Sequence, residues 1–212
     1  MRIAALLAAA GLAVALWWRR HPSACPYAQR FWVEAPHPLI TRERLRRTLE
    51  PRPGERILEV GPGTGYYSLP VAEWLGPDGR LELFDVQQEM LDHTLRRAGP
   101  LAARMHPTRG DARSLPYPDA TFDAAYLVTV LGEIPEPQAV LRELRRVLRP
   151  GGRVVVGEVA VDPHVVFPGA LERHAAAAGL RLERRDGSAV GYFARLVPVQ
   201  GKESTLQPAS EA

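Results

Sequence analysis

An open, mostly parallel α/β sheet is the fold this sequence predicts, and two observations carry it. Residues 57–66 read as a short apolar strand (Ile57, Leu58, Val60), then glycines at alternate positions (Gly61, Gly63, Gly65). A helical pattern starts near Tyr67 and runs through Leu69, Val71, Ala72 and Leu75. Beyond it, apolar runs of strand length alternate with amphipathic runs of helix length, the mark of strands joined by crossover helices. A strand that passes through glycines into a helix builds a pocket beyond its carboxyl end. The glycines adopt backbone angles closed to other residues and let a ligand approach the bare backbone.

Thr41 reads as the N-cap of a helix whose Leu45 and Leu49 share a face, and Pro51, Pro53 and Gly54 stop it. Gly76, Pro77, Asp78 and Gly79 form a turn. The second strand covers 80–84 and ends in Asp85, about 20 residues after Gly65. An acid there accepts hydrogen bonds from ribose hydroxyls, or caps the next helix over 87–98, which carries Met90, Leu91 and Leu95. A third strand is expected at 105–108, closing on Gly110, Asp111 and Ala112. The apolar run 124–130 is the fourth strand, 138–148 an amphipathic helix, and 153–159 the fifth strand. A helix over 168–178 ends at Gly179. Residues 180–184 and 191–197 close the sheet, antiparallel at its edge, and the polar tail 200–212 reads as disordered.

The 212 residues suffice for one domain and a small appendage, and 46% hydrophobic with 24% charged residues is ordinary for a globular chain. The net charge of +3 comes from arginines scattered among acids, with no cation run interleaved with aromatics. Nucleic acid is therefore not the expected partner. Six histidines form no ligand-spaced cluster, so no metal site is expected. Cys25 is the one cysteine; it cannot form an internal disulfide and reads as inert. Residues 3–18 are apolar, end in Trp17 and Trp18, and are flanked by Arg2, Arg19 and Arg20. A spanning helix needs about 20 apolar residues. Interfacial tryptophans and snorkelling arginines extend this run, and the cations directly after it disfavour a cleaved signal. The expected division is an anchor or apolar helix over 1–20, an irregular linker over 21–40, the main domain over 41–199 and the tail over 200–212. The positive-inside rule puts the domain on the cytoplasmic face of the membrane, while an apolar helix packed on the domain is the competing expectation. Oligomeric state is not readable from the sequence.

Glu59 followed by Gly61, Gly63 and Gly65 resembles the first motif of class I S-adenosylmethionine (SAM)-dependent methyltransferases. A dinucleotide fingerprint has its third glycine where this chain has Tyr66. The phrase from Leu115 through Tyr117 and Asp119 to Phe122 and Asp123 is similar to one in small-molecule, lipid and quinone methyltransferases. Leu148, Arg149, Pro150, Gly151 and Gly152 resemble the family's turn before its fifth strand, with the glycines as helix cap and chain reversal. The resemblance covers residues 55–197 and implies a Rossmann-like, seven-stranded, mostly parallel sheet with helices on both faces and an antiparallel last strand.

It implies SAM as cofactor, with contacts at Glu59, Gly61, Pro62, Gly63, Thr64, Gly65, Tyr66, Asp85, Val86, Gly110, Asp111, Ala112 and Val128. Asp85 then faces the ribose and Asp111 the adenine amino group; the alternative for Asp111 is a turn acid bonding its own backbone. Asp123 is expected to hold the strand entry. The implied reaction is in-line methyl transfer to a small-molecule or lipid-like acceptor. Glu133 is the candidate general base, ahead of Tyr66, Tyr67, His164 and Tyr192. Many relatives carry a histidine pair where this chain has Gly132 and Glu133, so their substrate chemistry does not carry over. A nicotinamide oxidoreductase and a non-catalytic, membrane-tethered nucleotide-binding protein are the alternatives.

Overall fold

In the computed structural model, residues 22–34 and 37–199 are described. The strands are β1 (Arg56–Val60), β2 (Arg80–Asp85), β3 (Met105–Arg109), β4 (Phe122–Val128), β5 (Leu148–Val159), β6 (Leu180–Ser188) and β7 (Gly191–Pro198). They form one sheet in the order β3-β2-β1-β4-β5-β7-β6. β1 to β5 pair in parallel, and β7 lies antiparallel to both β5 and β6. The longer helices are α1 (Arg42–Leu49), α2 (Ser68–Trp74), α3 (Gln88–Ala98), α4 (Pro137–Val147) and α5 (Pro168–Ala177).

Strand periodicity sorts the side chains into two apolar layers. Leu58 and Val60 of β1 face Val140, Leu141 and Leu144 of α4 and Leu171 of α5. Ile57 faces the other way, toward Leu45 and Leu49 of α1, Val71 of α2 and Leu91 of α3. Both faces of β1, β2 and β4 and of the paired part of β5 are covered, as a two-sided buried sheet requires, while the edge strand β3 is largely exposed.

The order of elements follows the sequence reading; several boundaries differ. β4 starts and ends two residues earlier than the expected 124–130. Its start is fixed by Asp123, whose carboxylate accepts the Arg56 backbone N–H at 2.8 Å and pairs with Arg149 at 2.7 Å. Asp123 thus holds the strand entry as expected. Gly151 and Gly152 do not cap a helix. The C-cap of α4 is Leu148, already extended, and Gly151 bends an irregular start of β5 at φ 78°. β6 runs on to Ser188, past the expected end at 184. The stretch read as a linker over 21–40 carries a helical turn at Tyr27–Gln29 and another at Phe31–Glu34, and it packs over the domain. The apolar run 3–18 and the tail 200–212 lie outside the described residues. Among the described residues, no helix is long and apolar enough to cross a membrane.

One buried ion pair ties α1 to the sheet. Arg153 of β5 is 4% exposed and meets both Glu55 carboxylate oxygens, at 2.9 and 2.7 Å. It also donates to the backbone carbonyls of Glu50, at 2.8 Å, and Leu49. Arg153→Met removes the guanidinium that meets a partly buried carboxylate and two carbonyls. Breaking a buried pair from one side costs about 3–5 kcal/mol, so thermal melts should show a Tm lower by roughly 6–20 °C. A Tm unchanged from the parent contradicts this.

Candidate active site

β1 and β4 are neighbours in the sheet, but the chain leaves them toward opposite edges. A crevice opens beyond the carboxyl ends of two such strands. Gly61 follows β1 at φ 71°, and its N–H donates to the Phe84 carbonyl at 2.8 Å. A Cβ on Gly61 would collide with Val130, so only glycine fits. Helix α3 clamps the loop from behind. Thr94 donates to the Gly63 carbonyl at 3.0 Å and Arg97 to the Thr64 carbonyl at 2.7 Å. Thr129 follows β4 at φ 54°. A β-branched residue there stores about 1–3 kcal/mol of strain. Its N–H bond to the Gly157 carbonyl, 2.8 Å, holds it in place.

Two cavities fill the crevice. The first, about 280 Å³, is lined by Gly61, Gly63, Asp85, Val86, Met90, Gly110, Asp111, Ala112 and Val128. The second, about 480 Å³, is lined by His37, Pro62, Tyr66, Tyr67, Val159, Val161, Asp162 and His164. Ser23, Ala24, Cys25, Gly61, Val128, Thr129 and Glu133 line both, so the cavities meet at one wall. The segment from Pro22 to Tyr27 roofs that junction. The Cys25 N–H donates to Glu133 at 3.3 Å, and the Gln87 side chain donates to the Cys25 carbonyl at 2.9 Å. Gln87 accepts the Tyr27 N–H at 3.2 Å, and the Tyr27 hydroxyl bonds with His93 at 3.0 Å.

Asp85, at the tip of β2, is 8% exposed and accepts the Gln87 N–H at 2.8 Å. Burial pushes its pKa up to about 6, against the pull of the Gln87 and Val86 N–H groups. Burial first, and then the charge of Asp162, push Glu133 up to about 8, with the Cys25 N–H opposing. Burial raises Asp162 as well. Among the described residues, no arginine or lysine lines the second cavity. Arg113, at the edge of the first, is taken by Asp111 and Glu136. Carboxyls that converge without a cation among them suit a positively charged ligand.

Most of the residues expected from the sequence come together here. Gly61, Gly63, Asp85, Val86, Gly110, Asp111, Ala112, Val128 and Glu133 border the first cavity, and Pro62 and Tyr66 the second. Glu59, Thr64 and Gly65 line neither. Strand alternation turns Glu59 to the side of Ile57, where it is 3% exposed behind the loop. Burial lifts it to about 7, eased by the Ser68 and Tyr126 hydroxyls; its Oε2 has no well-formed hydrogen bond. Asp111 is the turn acid of the alternative reading. It accepts the Arg113 N–H at 2.9 Å and the Arg113 guanidinium at 2.6 Å, which holds it below the usual carboxylate range. Its place on the cavity wall leaves it facing the same slot. Tyr67 and His164 line the second cavity, whereas Tyr192 is buried and donates to the Val166 carbonyl, a packing role. Cys25, Gln87, Thr129 and Asp162 join the site without having been singled out for it. Among the described residues there is no cluster fit to hold a metal.

The raised carboxyls have a consequence for stability. Glu59, Asp85 and Glu133 titrate near 7, 6 and 8 when folded, above the ordinary 3.8 to 4.5 of unfolded chain. The folded state therefore binds more protons than the unfolded one between those limits, and stability falls as pH rises through that window. Melting curves of the ligand-free protein should give a higher Tm at pH 5 than at pH 8, with Glu59→Gln and Glu133→Gln each flattening the slope. A Tm that rises with pH counters this.

SAM fits these residues. Asp85 offers a buried acceptor to a ribose diol, and Val86, Ala112 and Val128 offer an apolar slot to a purine. The acids at the junction offer compensation to a sulfonium.

Comparison with known proteins agrees. A methyltransferase-domain family model matches residues 57–152. The ubiquinone/menaquinone biosynthesis C-methyltransferase UbiE of Vibrio campbellii is 30% identical over 162 residues, covering 74% of this chain and 62% of UbiE. The 2-phytyl-1,4-naphtoquinone methyltransferase of Synechococcus elongatus is 39% identical over 107 residues, covering 50% of this chain and 46% of that enzyme. The chain thus spans about half to three-fifths of the length of these two relatives. A SAM-dependent methyltransferase structure from Aquifex aeolicus matches with a TM-score of 0.72 at 22% identity, covering 82% of this chain and all of that one. Fold, crevice and motifs agree with these matches: residues 57–152 match a methyltransferase domain, and the chain is similar to the class I SAM-dependent methyltransferases.

Proposed function

We propose that this protein transfers the methyl group of SAM to a small, flat, largely apolar acceptor of quinone type. The observation that carries the reading is the shared wall. A cavity suited to a nucleoside and a second, more aromatic cavity meet at Cys25, Gly61, Thr129 and Glu133. SAM, when bound, supplies an electrophilic methyl on a sulfonium. The chain supplies alignment, which is worth about 7 kcal/mol or more for well-oriented partners. Asp85 and the loop after β1 fix one side. On the other, His37 lies edge-to-face on Tyr66, with ring centroids 4.6 Å apart, and Tyr66 on Tyr67 at 4.8 Å. That aromatic wall favours a stacked ring. The segment from Pro22 to Tyr27 covers the junction and is tied to it through the Cys25 N–H bond to Glu133. Glu133 stands where an acceptor hydroxyl or acidic carbon gives up its proton. Quinone chemistry is what the names of UbiE and of the Synechococcus enzyme state for those proteins.

Calorimetry with SAM and with NAD, followed by mass spectrometry of a demethylated naphthoquinol incubated with SAM, tests the reading. SAM should bind, NAD should not, and the naphthoquinol should gain one methyl. Binding of NAD in place of SAM overturns the assignment. SAM binding without methylation of any quinol overturns the acceptor class.

A further inference from the structure

We propose that the carboxyl edge of the sheet, around the mouth of the second cavity, is a docking surface for a lipid bilayer. An amphiphilic acceptor would then enter from the lipid, a clause that rests on the methyl-transfer reading; the docking itself does not. Among the described residues, the exposed large hydrophobics are Phe31, Leu39, Val86, Val161, Phe167, Val190 and Val199. All but Val199 sit at this edge. Val86 follows β2, and Val161 and Phe167 lie in the connection after β5. Val159 pairs with Gly191, which places Val190 in the β6–β7 turn at the same end. Leu39 packs against Gly191, and the Ala160 N–H donates to the Val190 carbonyl at 3.0 Å. Leu39, Val161 and Val190 are therefore neighbours, and Val161, which lines the second cavity, is 85% exposed. Phe31 belongs to the roofing segment and is 58% exposed. The opposite edge presents exposed Arg52, Asp78, Arg80, Asp119 and Arg149 and, of these large hydrophobics, Val199 alone, whereas the carboxyl edge sets its apolar group beside exposed Asp111, Arg113 and Glu136. Exposed apolar residues scattered singly are normal; a set gathered at one edge beside a cavity marks an interaction surface.

Its occupant is indicated by the chain that arrives there. Pro22 and Ser23 are on the cavity walls. Arg19 and Arg20 stand within three residues of Pro22, about 10 Å of chain, and the apolar run 3–18 with Trp17 and Trp18 comes directly before them. Apolar residues and tryptophans flanked by arginines are how a segment meets a membrane interface, and the arginines favour anionic lipid. Arg42, 4.2 Å over the Tyr66 ring on the wall of the second cavity, adds a cation on the same side.

The test uses the full chain and vesicles of phosphatidylcholine with phosphatidylglycerol. In a Cys25→Ser background, Val161→Cys and Val199→Cys are each labelled with an environment-sensitive fluorophore. Vesicles should blue-shift the label at 161 and leave the label at 199 unchanged. Val161→Asp combined with Val190→Asp should weaken vesicle binding at least about tenfold. Three results overturn the proposal. The protein ignores vesicles; it binds them while the label at 161 stays aqueous, so that the amino-terminal run acts alone; or the label is blue-shifted before vesicles are added, so that residues 3–18 cover the edge themselves. SAM calorimetry on the unsubstituted, unlabelled full chain separates each of these from failure of the methyltransferase reading.

Discussion

Asp85→Asn is expected to weaken SAM binding about 30- to 100-fold while leaving the ligand-free protein at least as stable at pH 7. Asparagine keeps an oxygen for the Gln87 N–H, so the 2.8 Å bond that shapes the tip of β2 survives. What it loses is the charged acceptor for two ribose hydroxyls. Hydrogen bonds to a charged group contribute about 1.5–3 kcal/mol each, and a net loss of about 2–2.7 kcal/mol gives that range. Removing a buried charge also removes the burial penalty that lifts this carboxyl to about 6. The same pKa sets the pH dependence. The ionised form is the one that accepts from the diol, so parental SAM affinity should fall as pH drops below about 6, where the carboxyl takes up its proton. The asparagine variant should lose this part of the fall, keeping only what the acids at the junction contribute. Calorimetry from pH 5 to pH 8 on both proteins reads the two effects together. If Asp85→Asn binds SAM as tightly as the parent, the ribose is not held at this position.

What the sequence disclosed about this site is what short stretches of chain decide. Asp85 was legible because the end of a strand follows from the strand itself, and the loop after β1 because its glycines are adjacent in the chain. Glu59 was read as a cofactor contact on the motif alone. Strand alternation places it on the side of Ile57, where it is buried behind the loop and lines neither cavity. Asp111 met an arginine two residues on, a pairing as local as the turn itself. The roof was out of reach. Cys25 and Glu133 are 108 residues apart, Cys25 and Gln87 62, and no periodicity links them. Thr129 was hidden for a different reason. A β-branched residue avoids positive φ on its own, and the carbonyl of Gly157 in the neighbouring strand, far away in sequence, helps to hold it there.

Glu133→Gln is expected to lower kcat by about 10²- to 10⁴-fold on an acceptor that must lose a proton, with SAM affinity changed far less. The substitution is close to isosteric and keeps an oxygen for the Cys25 N–H, so the roof stays tied. It removes, among the described residues, the one carboxyl that stands on the walls of both cavities. In the ligand-free protein that carboxyl titrates near 8, because it is buried and faces Asp162. Only the ionised form is a base, so kcat/KM for the acceptor at low SAM should rise with pH through about 8. A sulfonium beside Glu133 stabilises its charged form, so the limb in kcat, measured with SAM saturating, should lie at lower pH than the limb in kcat/KM. Asp162→Asn removes the neighbouring charge and should move the free-protein limb down as well. A residue that merely props up the roof predicts none of these shifts, since its loss would change rates equally at every pH. If Glu133→Gln keeps both the rate and the pH limb, alignment alone carries the transfer, and the acceptor arrives already ionised or with a lone pair that needs no base.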